Sequence, residues 1–166
     1  DAMAPYLDLK RFLTQVAVEA YLAEQDGILG AYGLNNFYLY RFAGTTRFHF
    51  IPWDKSNAFW NLDRSIWTNA DTNVLVRRAL AVPELRVFFM NAILRASAMS
   101  GWIEDEIARV YIQIHDAAYQ DPYKQCYDVN WVMMTCSNER FEQAAALMNQ
   151  FAIGRDDVVM QQLAEP

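Results

Sequence analysis

Apolar positions fall at helical spacing in residues 7–24, where Leu9, Phe12, Val16 and Ala20 recur at steps of three and four. They predict an amphipathic helix that stops at Asp26-Gly27. The pattern then breaks: residues 27–33 hold three of the chain's six glycines, the composition of a loop able to adopt positive φ. Residues 36–42 and 47–51 are rich in aromatic side chains, and Ala43-Gly44-Thr45-Thr46 between them has turn chemistry, which predicts a β-hairpin. Helical spacing then resumes. Residues 73–81 read as a short helix, and Pro83 suits the first turn of another that carries Phe88, Phe89, Ala92 and Ile93 toward Ser100. Ile103, Ile107, Val110 and Ile114 put one apolar face on a helix over residues 101–119. Phe141, Ala145, Met148 and Ala152 do so for a last helix starting near Ser137, a good N-cap, and Gly154 is expected to bend or end it before Val158 and Leu163. The expected fold is mainly α (α+β), helical with one β-hairpin.

Composition narrows the picture. With 166 residues, 54% of them hydrophobic and 14% aromatic, the chain is expected to pack as a single domain over 1–166 rather than stay disordered. Twenty acidic residues against fourteen basic ones give a net charge of −6, which argues against a nucleic-acid partner or an anionic membrane surface. No apolar run is long enough for a membrane span, and Asp1-Ala2-Met3-Ala4-Pro5 lacks the basic-then-apolar order of a signal peptide. Cys126 and Cys136 lie in a stretch, residues 123–137, that reads as irregular. They could close a small loop in an oxidising compartment or remain free thiols in a reducing one. Two thiols and two distant histidines do not have the spacing of a structural zinc site.

The candidate chemistry sits around the hairpin. Asp26, Asn35, Asn36 and Asp54 form a hard-oxygen set. Phosphoryl transfer asks a protein for such groups: an acid to orient the acceptor hydroxyl, and an amide and a carboxylate to hold magnesium. Each residue also has a plainer reading. Asp26 before Gly27 suits a helix-terminal turn, Asn35 and Asn36 suit the opening of a strand, and Asp54 suits a strand-end cap. His49, alternating with Phe48 and Phe50, reads as structural, as does His115. Phe37, Tyr38, Tyr40, Phe48, Phe50, Trp53, Phe59 and Trp60 read as packing around the hairpin rather than a base-stacking platform. Arg77-Arg78 reads as a solvated helix face.

Asp26, then Asn35-Asn36-Phe37-Tyr38-Leu39-Tyr40-Arg41, then Phe48-His49-Phe50-Ile51-Pro52-Trp53-Asp54 with Asn57-Ala58-Phe59, resembles the CotH family, the spore-coat protein H group of atypical protein kinases. The segment around Phe151 and Arg155 resembles that family's closing helix. The resemblance implies a kinase-like fold with ATP and magnesium between two lobes, this chain supplying the C-terminal, large-lobe part. It implies Asp26 as the catalytic acid, Asn36 or its neighbour Asn35 as a metal-binding amide, and Asp54 as the magnesium-binding acid that also meets the nucleotide. The acceptors would be Ser or Thr of secreted or cell-surface proteins.

The sequence departs from that pattern in several places. Ser56 stands where family members often carry a second acid, and serine is a poorer magnesium ligand. The interval from Asp26 to Asn36 is longer than that of a conventional catalytic loop. No strand-rich segment with a phosphate-binding lysine precedes the first helix, so an N-terminal lobe is an expected partner and the isolated chain is expected to bind nucleotide weakly or not at all. A pseudokinase, a kinase-like transferase of another group, and a non-enzymatic surface or adhesion module stay open beside the kinase reading.

Overall fold

The computed structural model describes residues 2–127 and 132–164. Its first helix, α1 (Leu9–Tyr21), starts where Asp8 accepts a hydrogen bond from the Arg11 N–H at 3.0 Å, satisfying one of the donors a helix start leaves open. The helix ends three residues earlier than the periodicity suggests. Ala23 takes a left-handed φ of 54°, which turns residues 22–26 out of the helix and toward the loop. The predicted stripe is the buried one: Phe12, Val16 and Ala20 are inside, joined by Leu13, Ala17 and Tyr21.

The hairpin forms as expected, with β1 (Phe37–Arg41) antiparallel to β2 (Phe48–Pro52) and Tyr38 opposite Ile51. Gly44, at φ 78°, supplies the left-handed residue of its turn. Residues 6 and 7 run beside β2, the Phe48 N–H donating to the Tyr6 carbonyl at 2.7 Å. A two-stranded ribbon has two faces and α1 covers only one. Phe50 packs on Phe12 and Phe37 at ring-centroid distances of 4.9 and 4.7 Å, whereas Tyr38, Tyr40, Ile51 and Trp53 are exposed on the other side. The expectation that all these aromatic residues pack inward is corrected to about half of them.

Four further helices follow among the described residues. α2 (Val74–Leu80) is capped by Asn73, whose side chain accepts from the Leu75 and Val76 N–H groups; α3 (Pro83–Ser97) has Pro83 in its first turn. α4 (Ser100–Gln120) and α5 (Asn138–Ala164) pack on each other, and the Arg140 N–H reaches the Ser137 hydroxyl at 3.2 Å, the expected cap. α1 lies along α3, with α2 and α5 also on α3, so the buried apolar residues of α1, α2 and α3 share one core with Val159 of α5. The fold is mainly α, as the periodicity predicts.

Two expectations fail locally. Gly154 does not end α5, which runs on through it to Ala164, and Leu62 fills its open side, a methyl carbon standing 3.2 Å from an added Cβ. The cysteine stretch is not irregular where described: β3 (Gln125–Tyr127) pairs antiparallel with β4 (Met133–Thr135), and residues 128–131 of that stretch lie outside the described residues. Cys126 and Cys136 are free, half-buried thiols. Burial, and then the neighbouring Cys126, push the Cys136 thiol up. Among the described residues no helix is long and apolar enough to cross a membrane.

Candidate active site

The loop after α1 folds back on itself until Asp26 faces the two amides nine and ten residues further on. One Asp26 carboxylate oxygen accepts from Asn35 Nδ2 at 2.9 Å and the other from Asn36 Nδ2 at 2.9 Å. With each amide nitrogen turned to Asp26, the amide oxygens are left as the remaining acceptors of Asn35 and Asn36. Asp26 is half-buried, and a carboxylate accepting only two such bonds retains lone pairs for a third donor.

Asp54 lies just beyond β2, and the backbone of Asn36 links it to the pair. The Asn36 carbonyl accepts from the Trp53 N–H at 3.0 Å and from Lys55 Nζ at 3.1 Å, the two residues flanking Asp54. Asn36 and Asp54 both hold left-handed φ values, 53° and 38°, a conformation that Asn and Asp tolerate better than most residues. Asp54 is exposed, and its Oδ1 accepts from the Ser56 N–H at 3.3 Å. Ser56, by side chain and backbone, holds the Asp54 carboxyl below the usual carboxylate range, so it is ionised at neutral pH. Asp26, Asn35, Asn36 and Asp54 are therefore brought to one end of the hairpin.

The loop that carries Asp26 is clamped by side chains the sequence reading did not single out. Arg64 Nη2 donates to the Leu29 carbonyl at 2.9 Å, Asn69 Nδ2 to the carbonyls of Leu29 and Gly30 at 3.1 and 3.0 Å, and Asn73 Nδ2 to that of Ile28 at 3.2 Å. The Gln25 N–H donates to the Asn57 carbonyl and the Phe59 N–H to that of Leu22, tying the entry of the loop to the segment after Asp54. Asn73 opens a segment that reads as helical, and asparagine is a favoured N-cap, whereas Arg64 and Asn69 lie in an irregular stretch with no such signal. Gly30 fits where it does because backbone surrounds it: an added Cβ would meet Gln25 O at 2.8 Å and Asp26 Cα at 2.9 Å.

Two buried acids stand behind the loop. Glu24 is 3% exposed; one of its oxygens accepts from the Asp26 N–H at 2.8 Å and the other has no protein partner among the described residues. Burial raises its pKa above the ordinary value, against the Asp26 N–H and Lys55, which lower it. Glu19, 5% exposed, pairs with Lys55 at 2.8 Å. The other two lysines are engaged away from the hairpin: Lys10 Nζ lies 5.6 Å from the Phe88 ring centroid, and Lys124 Nζ donates to the Asp121 carbonyl at 3.0 Å.

Further off, Arg155 is fully buried and donates to the carbonyls of Ala20, Tyr21 and Leu62, so it ties α5 to the end of α1 from which the loop departs. Desolvation pulls its pKa down to about 10, still leaving it charged at neutral pH. His49 lies edge-on to Phe42 at 5.2 Å, and Arg77 and Arg78 are exposed. Among the described residues no three His, Cys, Asp or Glu side chains cluster as a metal site. A cation at the hairpin would therefore rely on Asp54, amide oxygens and oxygens from outside the protein, a donor set that suits magnesium better than zinc.

No curated protein matches the sequence. A family model described as CotH kinase protein matches residues 1–159, a span that takes in the Asp26 loop, both strands of the first hairpin, Asp54 and Arg155. The chain belongs to the CotH kinase protein family.

Proposed function

We propose that this chain is the large-lobe part of an ATP-dependent protein kinase that transfers phosphate to Ser or Thr of secreted or surface proteins. The observation that supports this reading is the linkage of Asp26, Asn36 and Asp54: two amide donors fix both oxygens of Asp26, and the Asn36 carbonyl is bonded to both neighbours of Asp54. Asp26 accepts the proton of the acceptor hydroxyl as its oxygen forms the new bond to phosphorus and the bond to ADP breaks. Asp54 and Asn36, or Asn35 in its place, would hold magnesium; when bound, it neutralises charge on the phosphates. Asp54 is suited to this because it is exposed and ionised.

The cover over the phosphates and the lysine that grips them would come from an N-terminal lobe: Lys10 and Lys124 are engaged away from the hairpin, and Lys55 is bound between Glu19 and the Asn36 carbonyl. Full-length protein with magnesium and γ-labelled ATP is expected to label a Ser- or Thr-containing acceptor. Asp26→Asn, which keeps the shape and removes the base, should lower that rate by roughly a hundredfold or more. Labelling at the wild-type rate would rule Asp26 out as the base. A second reading, a pseudokinase, is favoured by Ser56, which stands in the place of a second acid and spends an Asp54 lone pair on its own N–H. It predicts ATP binding to the full-length protein with no transfer.

A further inference from the structure

Glu19 lies on the buried stripe of α1, between Val16 and Ala20, where an apolar residue is the cheaper choice. A carboxylate kept there must have partners, and all of those the structure gives it converge on the candidate site or α1 itself. One oxygen accepts from Lys55 Nζ at 2.8 Å and from Gln15 Nε2 at 3.1 Å; the other accepts from the Ile28 N–H at 2.7 Å. Lys55 Nζ, bound to Glu19 on one side, donates to the Asn36 carbonyl at 3.1 Å on the other. Gly27 abuts the same carboxylate so tightly that a Cβ there would overlap it.

One carboxylate on a rigid helix is therefore bonded two residues after Asp26 and, through a single ammonium, to the backbone of Asn36 and the residue after Asp54. Electrostatics make the arrangement more pointed. A lysine next to a magnesium-binding aspartate would repel the cation, and Glu19 both neutralises that charge and turns it toward the Asn36 carbonyl. The Lys55 side chain is only partly exposed and that of Glu19 is nearly covered, so solvent screens the pair weakly.

We propose that Glu19 and Lys55 are positioning residues that set the separation of Asn36 and Asp54 and thereby the affinity of the site for a divalent cation. The proposal rests on the metal-binding reading of Asp54 given above. Groups that orient metal ligands typically contribute ten- to a hundredfold in affinity. The test is Mn2+ binding to the full-length protein in the presence of ADP, followed by the electron paramagnetic resonance signal of free Mn2+, with thermal unfolding recorded for every variant.

Asp54→Asn should abolish site binding. Glu19→Gln and Lys55→Met should each raise the Mn2+ Kd by roughly tenfold or more at a temperature where the protein is folded. Because removing one partner of a buried pair endangers folding, Lys55→Arg is the informative companion. It keeps the charge and the pairing with Glu19 but displaces the donors from the Asn36 carbonyl, so it should fold and still raise the Kd at least about threefold. A Kd unchanged in Lys55→Arg, or in folded Glu19→Gln and Lys55→Met, while Asp54→Asn abolishes binding, overturns the positioning role alone. Undiminished binding in Asp54→Asn overturns the metal reading and the positioning role with it.

Discussion

At Gly30 a Cβ would stand 2.8 Å from the Gln25 oxygen and the Gly27 nitrogen, and 2.9 Å from the Asp26 Cα. These are backbone atoms with no rotamer to yield, so a methyl group there must move the segment that carries Asp26. Gly30→Ala should lower phosphate transfer by roughly a hundredfold, the scale of a misplacement of about 1 Å, and a rate equal to wild type would show that the loop does not position the acid. Glu24 gives a second test. Its pKa is raised by folding, so the protonated form is favoured in the native state and the stability it contributes is present below its ordinary pKa and lost as pH rises through the folded value. Glu24→Gln should therefore flatten the decline of the unfolding midpoint from about pH 4.5 toward neutrality; an unchanged slope would rule out this source. The proximity of Asp26, Asn35, Asn36 and Asp54 was legible in the sequence because the predicted hairpin lies between them. Glu19, Arg64 and Asn69 were not, because their roles depend on which carbonyls and N–H groups the folded loop brings to them.

Among the elements, helices and the five-residue strands of the first hairpin announced themselves and the three-residue strands did not. α3 and α4 carry four or more turns of apolar spacing with a proline start or a sustained stripe, enough for the start of α3 and both ends of α4 to be read within a residue and the end of α3 within three. β3 and β4 have three residues each, too few for an alternation to show, so their hairpin was invisible. The end of α1 was overshot because nothing in residues 22–24 reveals that Ala23 turns left-handed, a conformation imposed by tertiary bonds such as that from the Phe59 N–H to the Leu22 carbonyl. Arg155 is the clasp between elements. Replacing it with Met keeps most of the volume but removes three hydrogen bonds, leaving the Tyr21 and Leu62 carbonyls without their donor and the Ala20 carbonyl with the Ala23 N–H. At about 1 kcal/mol or more for each, Arg155→Met should destabilise the protein by at least about 3 kcal/mol. Calorimetry should register this as a fall in Tm of roughly 6–12 °C, and a fall under about 2 °C would show that those carbonyls find other partners.

For the molecule as a whole, the helical core and the hairpin act as a frame that carries hard-oxygen groups on one end. α1 anchors the loop from behind through Glu19, α5 anchors the end of α1 through Arg155, and residues 64–73 hold the loop's carbonyls from the side. Membership of the CotH kinase protein family gives that frame its chemical context. We propose that Asp54, joined to Asn36 and Asp26, holds the magnesium on which phosphate transfer depends. The most direct test is transfer of the γ-phosphate of ATP by full-length protein, wild type against Asp54→Ala, across a magnesium titration. Magnesium-dependent incorporation by wild type and none above background by Asp54→Ala is the predicted result; equal incorporation by the two proteins would contradict it.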